Sequence, residues 1–65
     1  MKKCWLATDI SGSCYIFDIK PERTTINIWD SNGTYQHIPN QLCVMLIGKE
    51  LNWQDEPVEI NITFK

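Results

Sequence analysis

The segment Val58-Glu59-Ile60-Asn61-Ile62-Thr63-Phe64-Lys65 alternates apolar and polar residues without interruption. Successive side chains of a strand point to opposite faces, so Val58, Ile60, Ile62 and Phe64 form one apolar edge while Glu59, Asn61, Thr63 and Lys65 face water. Such a strand needs neighbours to pair with and a second layer over its apolar side, and the rest of the chain has to supply both. An end built into a sheet is expected of a complete small domain, here residues 1–65 as a single compact unit.

At 65 residues, a hydrophobic core rarely supplies more than about 3–5 kcal/mol of net stability. Disulfides, a metal or a partner are the usual supports. The three cysteines, Cys4, Cys14 and Cys43, cannot all pair within one chain, and Asp9 interrupts the apolar stretch after Lys2-Lys3 before it reaches the roughly 7 residues of a signal peptide. Reduced thiols and a soluble cytoplasmic protein are therefore expected, with no segment near the roughly 18 apolar residues of a membrane span.

Cys4 to Ile10 and Cys14 to Ile19 are strand-forming runs separated by Ser11-Gly12-Ser13, a first hairpin signal. A two-residue loop, whether Ser11-Gly12 or Gly12-Ser13, places odd positions of one strand beside even positions of the other. Leu6, Thr8, Ile10, Tyr15, Phe17 and Ile19 would then share one face, and Trp5, Ala7, Asp9, Ile16 and Asp18 the other. Lys20-Pro21-Glu22-Arg23 breaks the strand. Ile26–Trp29 and Tyr35–Ile38 flank Asp30-Ser31-Asn32-Gly33-Thr34 as a second hairpin. A three-residue loop there sets Trp29 opposite Tyr35, whereas an Asn32-Gly33 turn sets it opposite Gln36. Aspartate at the start and glycine at the end suit the first.

Residues 39–48 read as a helix: Pro39 and Asn40 start it, Leu42, Met45 and Leu46 fit its spacing, and Gly48 stops it. The same run, Leu42-Cys43-Val44-Met45-Leu46-Ile47, is also a continuous apolar block compatible with a buried strand. A helix is preferred because its stripe would cover the sheet face of Leu6, Phe17, Ile60 and Ile62. The predicted architecture is α+β, an antiparallel sheet of two hairpins plus a C-terminal strand paired with the first, with one short helix on one face. The alternative is an all-β SH3-like barrel.

Few residues point to catalysis or metal binding. Cys4, Cys14, Cys43 and His37 are zinc-type ligands without the short spacing of a zinc site, and the predicted hairpin sends Cys4 and Cys14 to opposite faces. Cys43 and His37 lack a third, orienting group. Asp55 and Glu56 are adjacent, so in an extended segment they point apart. The glycines, Gly12, Gly33 and Gly48, suit turns and a cap and form no phosphate loop. The expectation is a noncatalytic protein with no cofactor and no metal.

Two binding surfaces are predicted instead. Three tryptophans, Trp5, Trp29 and Trp53, are many for so small a core, so at least one is expected at a surface. Trp5, Trp29 and Tyr35 are the candidate contacts for a partner protein, and open sheet edges offer self-association as well. Trp53, beside Pro57, is expected as a lid over the helix. Lys3, Trp5, Lys20 and Arg23, gathered at one end of the first hairpin, are the candidate contacts for single-stranded nucleic acid. Against the second surface stands a net charge of −2. Its distribution is uneven, however: residues 1–25 carry Lys2, Lys3, Lys20 and Arg23 against Asp9, Asp18 and Glu22, and residues 50–65 carry Glu50, Asp55, Glu56 and Glu59 against Lys65.

At the C-terminus, Leu51-Asn52-Trp53-Gln54-Asp55-Glu56-Pro57-Val58-Glu59-Ile60, and Trp53 to Ile60 above all, resembles the ending of small uncharacterised proteins of bacterial prophages and mobile elements. That resemblance implies a bacterial or phage accessory protein that acts by binding a host or phage component. Together the readings predict a protein-interaction or accessory module, with single-stranded nucleic-acid binding as the alternative.

Overall fold

The computed structural model describes residues 2–62, so the part of the terminal alternation carried by residues 63–65, Phe64 included, lies outside the described residues. Six strands and a helix follow one another as β1 (Lys2–Thr8), β2 (Cys14–Phe17), β3 (Glu22–Arg23), β4 (Trp29–Asp30), β5 (Tyr35–Ile38), α1 (Asn40–Ile47) and β6 (Val58–Ile62). Four strands form an open antiparallel sheet in the order β5-β2-β1-β6, and β3 and β4 form a separate two-stranded ribbon. The architecture is α+β, as predicted, and not a closed barrel. β6 pairs with β1, Cys4 opposite Ile60 and Leu6 opposite Val58.

The first hairpin differs from its prediction in the turn. The Asp9 carbonyl accepts the Gly12 N–H (2.9 Å), the Asp9 N–H donates to the Ser13 carbonyl (2.9 Å), and Gly12 sits at φ 90°. This is a three-residue loop with a glycine bulge rather than a two-residue turn. One extra residue changes the pairing to Trp5–Phe17, Leu6–Ile16, Ala7–Tyr15 and Thr8–Cys14. Odd positions now lie beside odd positions, which overturns the predicted faces. Cys4, Leu6, Thr8, Cys14 and Ile16 share one face, so Cys4 and Cys14 are not on opposite sides. Trp5, Ala7, Tyr15 and Phe17 share the other.

The second hairpin is also corrected. Trp29 pairs with Arg23, not with Tyr35, which pairs with Phe17. Residues 14–38 form one long hairpin held in a single register: Cys14–Phe17 against Tyr35–Ile38, then Glu22–Arg23 against Trp29–Asp30. Between these ladders, residues 19–21 on one side face 31–33 on the other. Pro21, which cannot donate to a ladder, is fully buried at this break. A Cβ on Gly33 would overlap the Asp18 carboxylate and come within 2.9 Å of Ile19 Cγ1, so glycine is required where the two sides cross closely. The break lets the ribbon fold back over the sheet.

Residues 40–47 are helical, with Pro39 extended at the N-cap (φ −62°, ψ 143°) and Gly48 left-handed at the C-cap (φ 77°), its N–H bonded to the Val44 carbonyl. The face turned to the sheet is not the predicted Leu42-Met45-Leu46 stripe. Cys43 is buried and Ile47 packs beside it against Leu6, Cys14 and Ile38, with Ile16, Leu51 and Ile60 around them. Leu42, Met45 and Leu46 point outward. After Asn40 and Gln41 the helix is an unbroken apolar run from Leu42 to Ile47, so spacing alone could not select its inner face. Phe17, predicted under the helix, lies on the opposite side of the sheet.

Candidate functional site

The face of the sheet away from α1 carries the aromatic residues. Cross-strand pairing sets Tyr35, Phe17, Trp5 and Glu59 in one row across all four strands, with His37, Tyr15 and Ala7 in the next. The rings touch: Tyr15 meets Tyr35 edge-on at 5.8 Å and His37 at 5.3 Å, and Phe17 lies 5.8 Å from Tyr35. Phe17 is buried, Trp5 and Tyr15 are half-buried, and Tyr35 is 66% exposed on the β5 edge strand.

The ribbon covers the Ala7 end of this face. Trp29 is only 6% exposed and packs on Ala7 and Phe17, with Tyr15 and Trp53 alongside. Its indole Nε1–H donates to the Thr8 carbonyl (2.9 Å) and its backbone N–H to Asp9 Oδ1 (3.1 Å). The ribbon tip is tied down where the Ile10 N–H reaches the Asn27 carbonyl (3.4 Å). Asn27 takes φ 67°, a left-handed conformation that asparagine tolerates better than most residues. Trp53 is not a lid over the helix: it stands edge-on to Trp29 at 5.4 Å.

Arg23 closes this corner. Its guanidinium lies 4.7 Å from the Trp29 ring and 5.1 Å from the Trp53 ring. It donates to the Trp53 carbonyl at 2.9 Å and the Asp55 carbonyl at 3.4 Å and stands 3.8 Å from Glu56. Arg23 is thus a latch between the ribbon and the Trp53–Pro57 connector. Lys3 lies 3.7 Å from Glu59 across the β1–β6 pair. Lys20 is exposed beside the ribbon and shares a shallow depression with Arg23 and with the carboxylates Glu22 and Asp30. Of the four nucleic-acid candidates, then, two cations are engaged with carboxylates, one lies among acidic neighbours, and Trp5 belongs to the aromatic row. Of the protein-contact candidates, Trp5 and Tyr35 share that row, and Trp29 forms the wall that ends it.

Between ribbon and sheet lies a cleft of about 170 Å³ lined by Asp9, Tyr15, Phe17, Ile28, Trp29, Asp30 and Tyr35. A second cleft, of about 260 Å³, opens between the first turn and α1 and reaches Cys14 and Cys43. Burial, reinforced by the Cys43 thiol beside it, pushes the Cys14 thiol up to about 12, so it stays protonated at neutral pH and is a weak nucleophile. His37 stands on the opposite face of the sheet from these thiols. Among the described residues, no three His, Cys, Asp or Glu side chains converge as metal ligands, and no helix is long and apolar enough to cross a membrane.

In comparisons with known proteins, no family model, curated protein or solved structure matches the chain.

A two-residue loop splits Trp5 from Tyr15 and Phe17, whereas the three-residue loop brings them to one face, so the aromatic row and the cleft depend on that single residue. The signal was present. Asp9-Ile10-Ser11-Gly12 has the same aspartate-to-glycine spacing that favoured a three-residue loop at Asp30–Gly33.

Proposed function

We propose that this protein is a noncatalytic protein-interaction module that binds its partner through the aromatic face of the sheet. The observation that carries this reading is the row Tyr35-Phe17-Trp5, open at Tyr35 on an edge strand. Aromatic side chains present large, rigid surface at low entropic cost, and tryptophan and tyrosine dominate binding hot spots. An edge strand adds backbone groups that a partner's strand can pair with. Stacking of single-stranded nucleic acid would use the same rings but needs free cations beside them. The neighbours here are Lys2 and Asp18, which share a depression with Phe17 and Tyr35, Glu59, which faces Lys3, and the carboxylates Asp9 and Asp30. Among the described residues, these carboxylates outnumber the one cation outside an ion pair and repel phosphate. The resemblance of Trp53 to Ile60 to prophage-encoded endings supports a cytoplasmic bacterial or phage accessory role, with a host or phage protein as partner.

Site-specific photo-crosslinking in bacterial cells tests the reading. A benzophenone side chain placed at position 35 or 5 is expected to yield discrete protein adducts, while one at position 45, on the outer side of α1, yields none. Adducts equally abundant from position 45 would sink it. So would a steeply salt-dependent affinity for single-stranded DNA that is lost on charge reversal of Lys3 and Lys20.

A further inference from the structure

We propose that the cleft between ribbon and sheet receives a cationic side chain, the ammonium or guanidinium group of a lysine or arginine on the partner polypeptide. The inference rests on the interaction reading above and names the chemistry that the surface selects. Four aromatic residues, Tyr15, Phe17, Trp29 and Tyr35, line the cleft together with two carboxylates, Asp9 and Asp30, and no cation lines it among the described residues. Aromatic faces carry negative electrostatic potential, and a cation within about 6 Å of a ring centroid is attracted to it, most strongly to tryptophan. Carboxylates at the same opening add direct charge complementarity. Asp9 is well placed for this task. Its Oδ1 accepts the Trp29 N–H, which holds the carboxylate still, and Oδ2 has no hydrogen-bond partner among the described residues.

The chain already binds one cation in this way. Arg23 lies within cation–π distance of Trp29 and Trp53 and hydrogen-bonds to backbone carbonyls on the connector. Arg23 does not line the cleft, so the cleft offers an incoming cation a comparable aromatic setting that no side chain of the described residues occupies. A neutral apolar side chain would gain the ring contacts but would desolvate Asp9 and Asp30 without compensation. An anionic group would meet two like charges.

The test is a two-dimensional NMR titration of the intact protein with N-acetyl-lysinamide and N-acetyl-argininamide, using N-acetyl-norleucinamide as the neutral control at matched ionic strength. Saturable shifts are expected at the Trp29 indole N–H and at Tyr15 and Tyr35, with about tenfold weaker binding of the norleucine compound. Asp30→Asn should weaken cation binding several-fold, whereas Glu50→Gln, which removes the same charge from a residue that does not line the cleft, should leave it unchanged. Equal affinity for norleucinamide overturns the proposal, as do shifts that a sodium chloride titration reproduces or equal effects of the two charge removals. If cation binding fails while position 35 still crosslinks, only this inference falls; loss of both removes the interaction reading beneath it.

Discussion

Single residues decide where this chain can bend. Gly12 and Gly33 are constrained for different reasons, and substitution separates them. A Cβ on Gly12 meets nothing within 4 Å, yet φ 90° is a conformation that L-residues resist, so Gly12→Ala is expected to lower the urea-unfolding free energy by about 1–2 kcal/mol. Gly12→Asn should recover part of that, since asparagine already holds the equivalent position at Asn27. At Gly33 the obstacle is crowding against Asp18 and Ile19, and Asn is expected to be no better than Ala there. Cys14 makes a different demand. Its thiol is raised from 9.0 to about 12, chiefly by burial. Above pH 9 the unfolded chain releases this proton while the folded chain keeps it, so the folded state binds more protons and stability falls as pH rises toward 12. Urea midpoints measured between pH 9 and 11 should decline more steeply for the parent protein than for Cys14→Ala. Parallel declines would show that the Cys14 thiol does not contribute.

Between elements, Arg23 ties the ribbon to the Trp53–Pro57 connector. The guanidinium makes cation–π contacts with both rings and donates two directed hydrogen bonds, a fork that an ammonium cannot reproduce. Arg23→Lys keeps the charge and is expected to cost about 1–2 kcal/mol, with faster amide exchange at Asn52–Asp55. Glu56→Gln removes only an exposed ion pair and should change stability by less than about 0.5 kcal/mol. Unchanged exchange in Arg23→Lys would mean that the tryptophan pair alone fastens the connector. The sequence made the elements legible to different degrees. β6, its pairing with β1, the helix and its glycine stop followed from alternation and caps, because those signals are local. The ribbon did not. Glu22–Arg23 and Trp29–Asp30 are two residues each, too short for any period to show, and their placement comes from a tryptophan reaching Thr8 and Asp9 across the chain. The charge asymmetry was visible from the start, but its use as Lys3–Glu59 and Arg23–Glu56 contacts depended on which strands became neighbours.

At the scale of the whole molecule, the sheet divides stability from recognition. The face under α1 holds Leu6, fully buried, with Cys14, Ile38 and Cys43, whereas the opposite face ends in rings that reach solvent. Removing the Leu6 side chain is expected to cost about 2–5 kcal/mol, which matches the roughly 3–5 kcal/mol that a core of this size supplies. Leu6→Ala should therefore be largely unfolded at 25 °C. Tyr35→Ala removes one exposed ring whose contacts with Tyr15 and Phe17 are worth only about 0.5–1.5 kcal/mol, so the variant should stay folded while it loses the crosslinks made from position 5 and the cation binding. Circular dichroism melts of the two variants, set beside the NMR titration, check this division directly. A Tyr35→Ala protein as unfolded as Leu6→Ala would place the exposed rings within the core's own cooperative unit. They would then hold the fold together, and the aromatic face would lose its claim to be a surface reserved for a partner.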